Sequence, residues 1–243
     1  MFDQKHQDCF IPKPKTSYSA DFNVVALCFY LYIEGFETHR IGSILSNVND
    51  KFQFPGSIVE EKFKQAEHLA QSAADYFSKK LVMRTLNDKP VSAWDKKIER
   101  IMSNPTKLEF TEIPVYSTLP QIYEDNLAED AVMQQAVSYD SPRKAVIQPT
   151  RLRYLDSTNL RGMGHRGKQH FFISERGHVF YVTCNDRSTP GASFISAFAR
   201  SGISFVAEGR FNCHVYPGYD KKVLEFRNMP VTITDIKVES HED

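Results

Sequence analysis

Apolar side chains recur along this chain with two different periods, and the change of period divides it. They fall at Val59, Phe63, Ala66, Ala70, Ala73, Phe77 and Leu81. Those steps of three and four share one face of a helix, which the pattern extends over about 25 residues. Pro55 and Gly56 break the chain before it, Ser57 with Glu60 forms a capping box, and Asn87, Asp88 and Pro90 end it. Ser92 with Asp95 starts a shorter helix that turns Trp94, Ile98, Ile101 and Met102 to one side and stops at Asn104 and Pro105. Upstream, Phe22 to Ile33 is rich in Val, Phe and Tyr and reads as a buried strand. A turn at Glu34 and Gly35 follows, with Thr38 to Leu45 as an extended hairpin partner. Between the second helix and residue 150 the pattern is mixed: extended over Leu108 to Tyr116, helical over Leu127 to Val137, loop-like around Ser141 and Pro142.

Beyond residue 150 the period is two. Gln169 to Ser174 and His178 to Cys184 flank Glu175, Arg176 and Gly177 as a tight hairpin. Phe205 to Tyr216, Lys221 to Phe226 and Val231 to Val238 follow, joined at Pro217 with Gly218 and at Asn228 with Pro230. About five strands with short turns, and one longer connection from Ser188 to Ser201, predict a small curled sheet or barrel; an OB-like order is compatible, but strand count does not establish it. The fold class is α+β: a mainly antiparallel sheet or small barrel-like core, with a few helices in the N-terminal half. The expected organisation is an N-terminal arm (1–20), an α+β region (21–150), a basic β-rich region (151–238) packed with it as one compact unit, and an acidic tail (239–243).

Composition is that of an ordinary globular protein, 41% hydrophobic and 25% charged. The longest apolar run, Phe22 to Ile33, is too short to span a bilayer, and the N-terminal residues lack the pattern of a secretory signal. A cytoplasmic protein without membrane association is expected. Cys9, Cys28, Cys184 and Cys213 are scattered without a C-x-x-C pair, so neither disulfides nor a metal site is expected. Cys213 and His214, adjacent on a strand, point to opposite faces and cannot easily share an ion.

Charge is distributed unevenly beneath an overall balance of 30 basic and 30 acidic residues. Residues 1–150 carry 17 Lys and Arg against 20 Asp and Glu, whereas residues 151–237 carry 13 against 7. Most basic side chains of the second stretch lie near a Phe or Tyr. Phosphates attract cations and unpaired bases stack on flat rings, so this composition points to single-stranded DNA. Arg151, Arg153, Arg161, Arg166, Lys168 and Arg187 are the expected phosphate contacts, joined by Arg176, Arg210, Lys221 and Lys222. Phe171 or Phe172, with Tyr181, are the expected stacking rings: alternation sends neighbours to opposite faces, leaving one of each pair outside a one-sided sheet. Against this stand ordinary uses: core packing for the rings, a solvated loop for Arg161 to Lys168, and edge charges for Arg210, Lys221 and Lys222.

Gly162 to Gly167 spells G-x-G-x-x-G. A dinucleotide site needs a strand before that motif and a helix after it, and a β-patterned segment follows here, so no nucleotide cofactor is expected. No nucleophile elbow, Walker loop or H-E-x-x-H occurs, and a non-enzyme is expected. A virion or assembly protein using the same aromatic surface for protein contacts is the alternative, and a metal-dependent nuclease is the third reading.

The stretch Val206-Ala207-Glu208-Gly209-Arg210-Phe211, then His214 through Lys222, then Val231 to Val238, resembles the closing strands of small β-barrel-like modules in bacteriophage proteins. The layout is similar to phage single-stranded-DNA-binding proteins that act with the phage RNA polymerase as transcription cofactors. The resemblance covers about the last third of the chain. It implies a role in phage transcription or replication inside a bacterial host, with the phage RNA polymerase as a protein partner and homo-oligomerisation as a further expectation.

Overall fold

The densest apolar run of the chain is helical. α1 (Val24–Ile33) is capped by Asn23, whose side chain accepts from the Ala26 N–H at 2.9 Å, and eight of its ten residues are buried. A helix apolar all round has no polar face, so its period is silent and the strand reading of Phe22 to Ile33 is corrected only by the structure. The extended reading of Thr38 to Leu45 is replaced likewise: α2 (Thr38–Ser46) buries Ile41 and Leu45, four residues apart on one face. The computed structural model describes residues 14–18, 23–47, 52–55, 60–87, 89–160, 167–185, 195–226 and 231–238.

Two compact units are present, Met1–Tyr123 and Glu124–Asp243. In the first, β1 (Pro14–Tyr18), within the stretch expected to be an arm, pairs antiparallel with β2 (Phe52–Pro55). α3 (Glu60–Leu86) buries Ala66, Ala70, Ala73 and Phe77, as its period requires, while Ser57 of the expected capping box lies outside the described residues. α4 (Ala93–Ser103) begins at Ser92, whose hydroxyl accepts from the Asp95 N–H at 3.1 Å, and buries Ile98, Ile101 and Met102 but leaves Trp94 exposed. A 3-10 turn (Phe110–Glu112) then leads into α5 (Ile113–Gln135), replacing the extended reading of Leu108 to Tyr116. β-forming Val115 and Tyr116 are buried in the same helical core as α1, so packing overrides their strand propensity.

The second unit starts within α5 and not at the charge shift near residue 150. Its strands are β3 (Lys144–Asn159), β4 (Gly167–Ser174), β5 (Val179–Asn185), β6 (Ile203–Val215), β7 (Lys222–Glu225) and β8 (Val231–Val238). They run in the order β3-β4-β5-β7-β6, and β6 pairs back with β3 to close a five-stranded barrel, with β8 added beside β6. Every pairing is antiparallel except β5 with β7. First strand to second, second to third, third parallel to fifth, fifth to fourth and fourth back to first: that is the strand order of an OB barrel.

β3 makes closure feasible. Its first half pairs with β6 and its second with β4, and irregularities at Ile147/Thr150 and Tyr154/Asp156 bend it between the two. Inside, Leu152, Phe172, Phe180, Phe205, Phe211 and Leu224 fill the barrel, and Ile195 and Phe198 from the β5–β6 connection pack into the same core. Phe172 meets Phe205 edge-on at 5.3 Å, and Phe180 meets Phe211 at 5.2 Å. The β4–β5 turn needs Gly177, whose φ is 79° and whose absent Cβ leaves room for Val137. Among the described residues no helix is long and apolar enough to cross a membrane.

Candidate nucleic-acid interface

Alternation along β4 and β5 gives the barrel wall two sides. Phe172, Phe180 and Val182 point inward. Phe171, Ile173, Val179 and Tyr181 point outward, where a one-sided sheet would leave them in water. The second half of α5 and the residue after it lie on them instead: Val132, Met133 and Ala136 bury against Phe171, Ile173, Val179, Tyr181, Tyr216 and Val223. Phe171 and Phe172 are therefore both 0% exposed, and Tyr181 is 6% exposed. The expectation that one ring of each pair stays open to stack bases is overturned, because this wall is covered on both sides.

Polar contacts stitch the helix and the rings to the barrel. Tyr181 Oη lies 2.8 Å from His214 Nε2, and the Tyr216 hydroxyl donates to Gln169 Oε1 at 2.6 Å. The Tyr219 hydroxyl donates to the Asp130 carboxylate. Asp125 Oδ1 accepts from the Asn159 backbone N–H at 3.1 Å and from its side-chain amide at 3.2 Å. Lys221 Nζ donates to the Ala136 carbonyl, one of the groups that the end of α5 leaves without an intrahelical partner. Lys221 thus acts as a helix cap in place of the expected phosphate contact. Its neighbour Lys222 lies 3.8 Å from Asp140, and its N–H is held by the Ser138 hydroxyl.

The opposite wall is different. Arg153 sits across from Ser204, and Ser204 from Lys237; Arg151 sits across from Val206, and Val206 from Thr234. Farther along, Val146 faces Arg210 and Lys144 faces Asn212. Side chains at these positions point away from the core, and Lys144, Val146, Arg153, Arg210, Thr234 and Lys237 are exposed. Arg151 is half-buried: it pairs with the Asp235 carboxylate, and its Nη1 reaches Ser204 Oγ at 3.2 Å and the Asp235 carbonyl at 3.3 Å. Asp235 has φ 51° beside an irregularity in the β6–β8 pairing, so Arg151 braces a bulge while adding charge to the face. Among the described residues, Asp156, Glu208 and Asp235 are the acids on the strands that carry Lys144, Arg151, Arg153, Arg210 and Lys237.

Of the other residues expected to meet phosphate, Lys168 is exposed where β4 begins, opposite Asn159 and Cys184. Arg176 is exposed in the turn at the other end of β4. Arg161, Arg166 and Arg187 lie outside the described residues. β3 ends at Asn159 and β4 begins at Gly167, so a strand follows the glycine motif where a pyrophosphate would need a helix N-terminus. Arg151, Arg153 and Arg210 share the outward face of β3 and β6, whereas Lys168, Arg176, Lys221 and Lys222 are not part of that row. Lys144 and Lys237 belong to the row and are absent from the sequence-based set. Period-two alternation on β8 was the available signal for Lys237; Lys144 precedes the basic stretch and carried none.

Burial lowers the pKa of His170, with Lys168 adding to the effect, and burial followed by Arg176 lowers that of His178. Among the described residues the buried His170 Nδ1 has no hydrogen-bond partner, which suits a neutral ring. Cys213 belongs to the barrel core while His214 faces Tyr181 outside it. Among the described residues no group of three or more His, Cys, Asp or Glu is placed to hold an ion. Comparison of the chain with protein-family models, curated proteins and solved structures gave no match.

Proposed function

We propose that this protein binds single-stranded DNA with little sequence preference, through its phosphates. The observation that carries the reading is the outward face of β3, β6 and β8, on which Lys144, Arg153, Arg210 and Lys237 are exposed. Phosphate contacts position a strand without reading its bases, which accounts for low sequence preference. An OB strand order supports a nucleic-acid ligand by analogy of fold only, and does not bear on its placement at this wall. Stacking by Phe171, Phe172 and Tyr181 is not part of the mechanism in the closed barrel, since all three are buried. The same burial takes away the aromatic surface on which the virion or assembly alternative rested.

The resemblance of the last strands to phage proteins supports a setting in phage transcription or replication, with the phage RNA polymerase as the partner to test and self-association as a second. Fluorescence anisotropy with labelled oligonucleotides at low salt tests the reading. Single strands of unrelated sequence should bind with similar affinity and better than duplexes. Absence of binding at low salt would overturn it, and cleavage of the oligonucleotide on adding magnesium or manganese would favour the nuclease.

A further inference from the structure

Four aromatic rings form a contiguous cluster under the second half of α5. Centroid separations are 6.2 Å for Phe171–Tyr181, 5.8 Å for Tyr181–Tyr216, 5.9 Å for Phe171–Tyr216 and 5.7 Å for Tyr216–Tyr219. Three of the four are tyrosines, whose hydroxyls each need a polar partner when buried. Phenylalanine would pack as well at a permanently covered wall without that demand. Amphipathic rings suit a surface that is covered in one state and wet in another.

The cover is acidic. Glu124, Asp125, Glu129 and Asp130 fall within two turns of α5. Asp125 accepts from Asn159, the last residue of β3 before the basic segment 161–166. Asp130 accepts from Tyr219 in the β6–β7 connection. In barrels of this strand order the wall formed by the second and third strands, with the loops after the first and fourth, is where oligonucleotides lie. Here an anionic helix occupies that wall, with one carboxylate anchored at each of those two connections.

Resting on the nucleic-acid reading above, we infer that a bound strand has a second contact surface on the β4–β5 wall, besides its phosphate contacts on β3, β6 and β8, and that the segment of α5 from Glu124 to Gln135 is an internal competitor for it. Its carboxylates stand where phosphates would, and its displacement opens the cluster of Phe171, Tyr181, Tyr216 and Tyr219 to bases.

The test compares the full chain with the double variant Asp125→Ala/Asp130→Ala, in binding a labelled oligothymidine across a salt series. Loss of both anchors should tighten binding tenfold or more, and adding Tyr216→Leu should cancel that gain. In the unsubstituted protein, hydrogen exchange of amides 124–135 should accelerate when the oligonucleotide is present, a readout that needs no variant to fold. Unchanged affinity in the double variant, with exchange of 124–135 unchanged by DNA, would overturn the competitor while salt-sensitive binding by the unsubstituted protein leaves the nucleic-acid reading in place. No binding by either protein at low salt would overturn both.

Discussion

The two outer walls of the barrel are built by the same alternation and end in opposite states. On β4 and β5 the outward residues are Phe171, Ile173, Val179 and Tyr181, and α5 covers them. On β3, β6 and β8 the outward residues include Arg153, Arg210, Thr234 and Lys237, and they remain exposed. Alternation decides which side of a strand a residue takes. It does not decide whether that side meets water, because a distant segment, here residues 132–136, can cover it. Aromatic content near basic residues is therefore poor evidence for stacking until the covering elements are known.

Truncation separates the walls most sharply. Phe171→Ala removes a fully buried ring and should destabilise the second unit by about 3–5 kcal/mol, read from denaturant unfolding. Arg153→Ala should change stability by no more than about 0.5 kcal/mol. A Phe171 variant as stable as the parent would mean that α5 does not cover this wall in solution. Next in size is the anchor at Asn159: Asp125→Ala leaves its donors without the carboxylate and should cost about 1–3 kcal/mol. A smaller effect is expected at the open wall's own ion pair. Arg151 and Asp235 have side chains 25% and 55% exposed, so Arg151→Met should cost about 1 kcal/mol or less.

The subtlest difference is in pH dependence. His170 titrates in the fold below its ordinary value of 6.5, so between the lowered value and 6.5 the unfolded chain binds more protons than the folded one. Stability is then intact above pH 6.5 and falls as pH drops through that window. His178 shifts in the same direction. Denaturant midpoints at pH 7.5 and 5.5 should show the loss, and His170→Gln should reduce it. A stability profile identical in parent and variant would remove His170 from the account.

Much of the fold was legible where one face of an element is wet. α3 and α4 announce themselves by spacing and caps, the β4–β5 hairpin by Glu175-Arg176-Gly177, and β8 spans the segment its alternation marks. Elements without a wet face were not legible, and neither was the short α2, although it has one. α1 is apolar all round and mimics a strand, and the first turns of α5 hide behind Val115 and Tyr116. β3 was missed because it exchanges partners midway and bends at two irregularities, which interrupts its alternation with Pro149 and Asp156. At the site, the basic residues 151, 153 and 210 were found from charge alone. The fate of the rings was not, although Val132, Met133 and Ala136 share a helical face that must bury against something; nothing in the sequence says that its partner is Phe171 and Tyr181.

The central claim, that charge on the open wall holds the strand, is tested most directly by the salt dependence of single-stranded DNA affinity for the parent and for Arg153→Ala/Arg210→Ala. If both residues neutralise phosphates, the variant binds more weakly and its slope of log affinity against log salt is shallower by about 1.4, roughly 0.7 for each phosphate no longer neutralised. Equal affinity and an unchanged slope would contradict the account and place the DNA, if bound at all, elsewhere on the molecule.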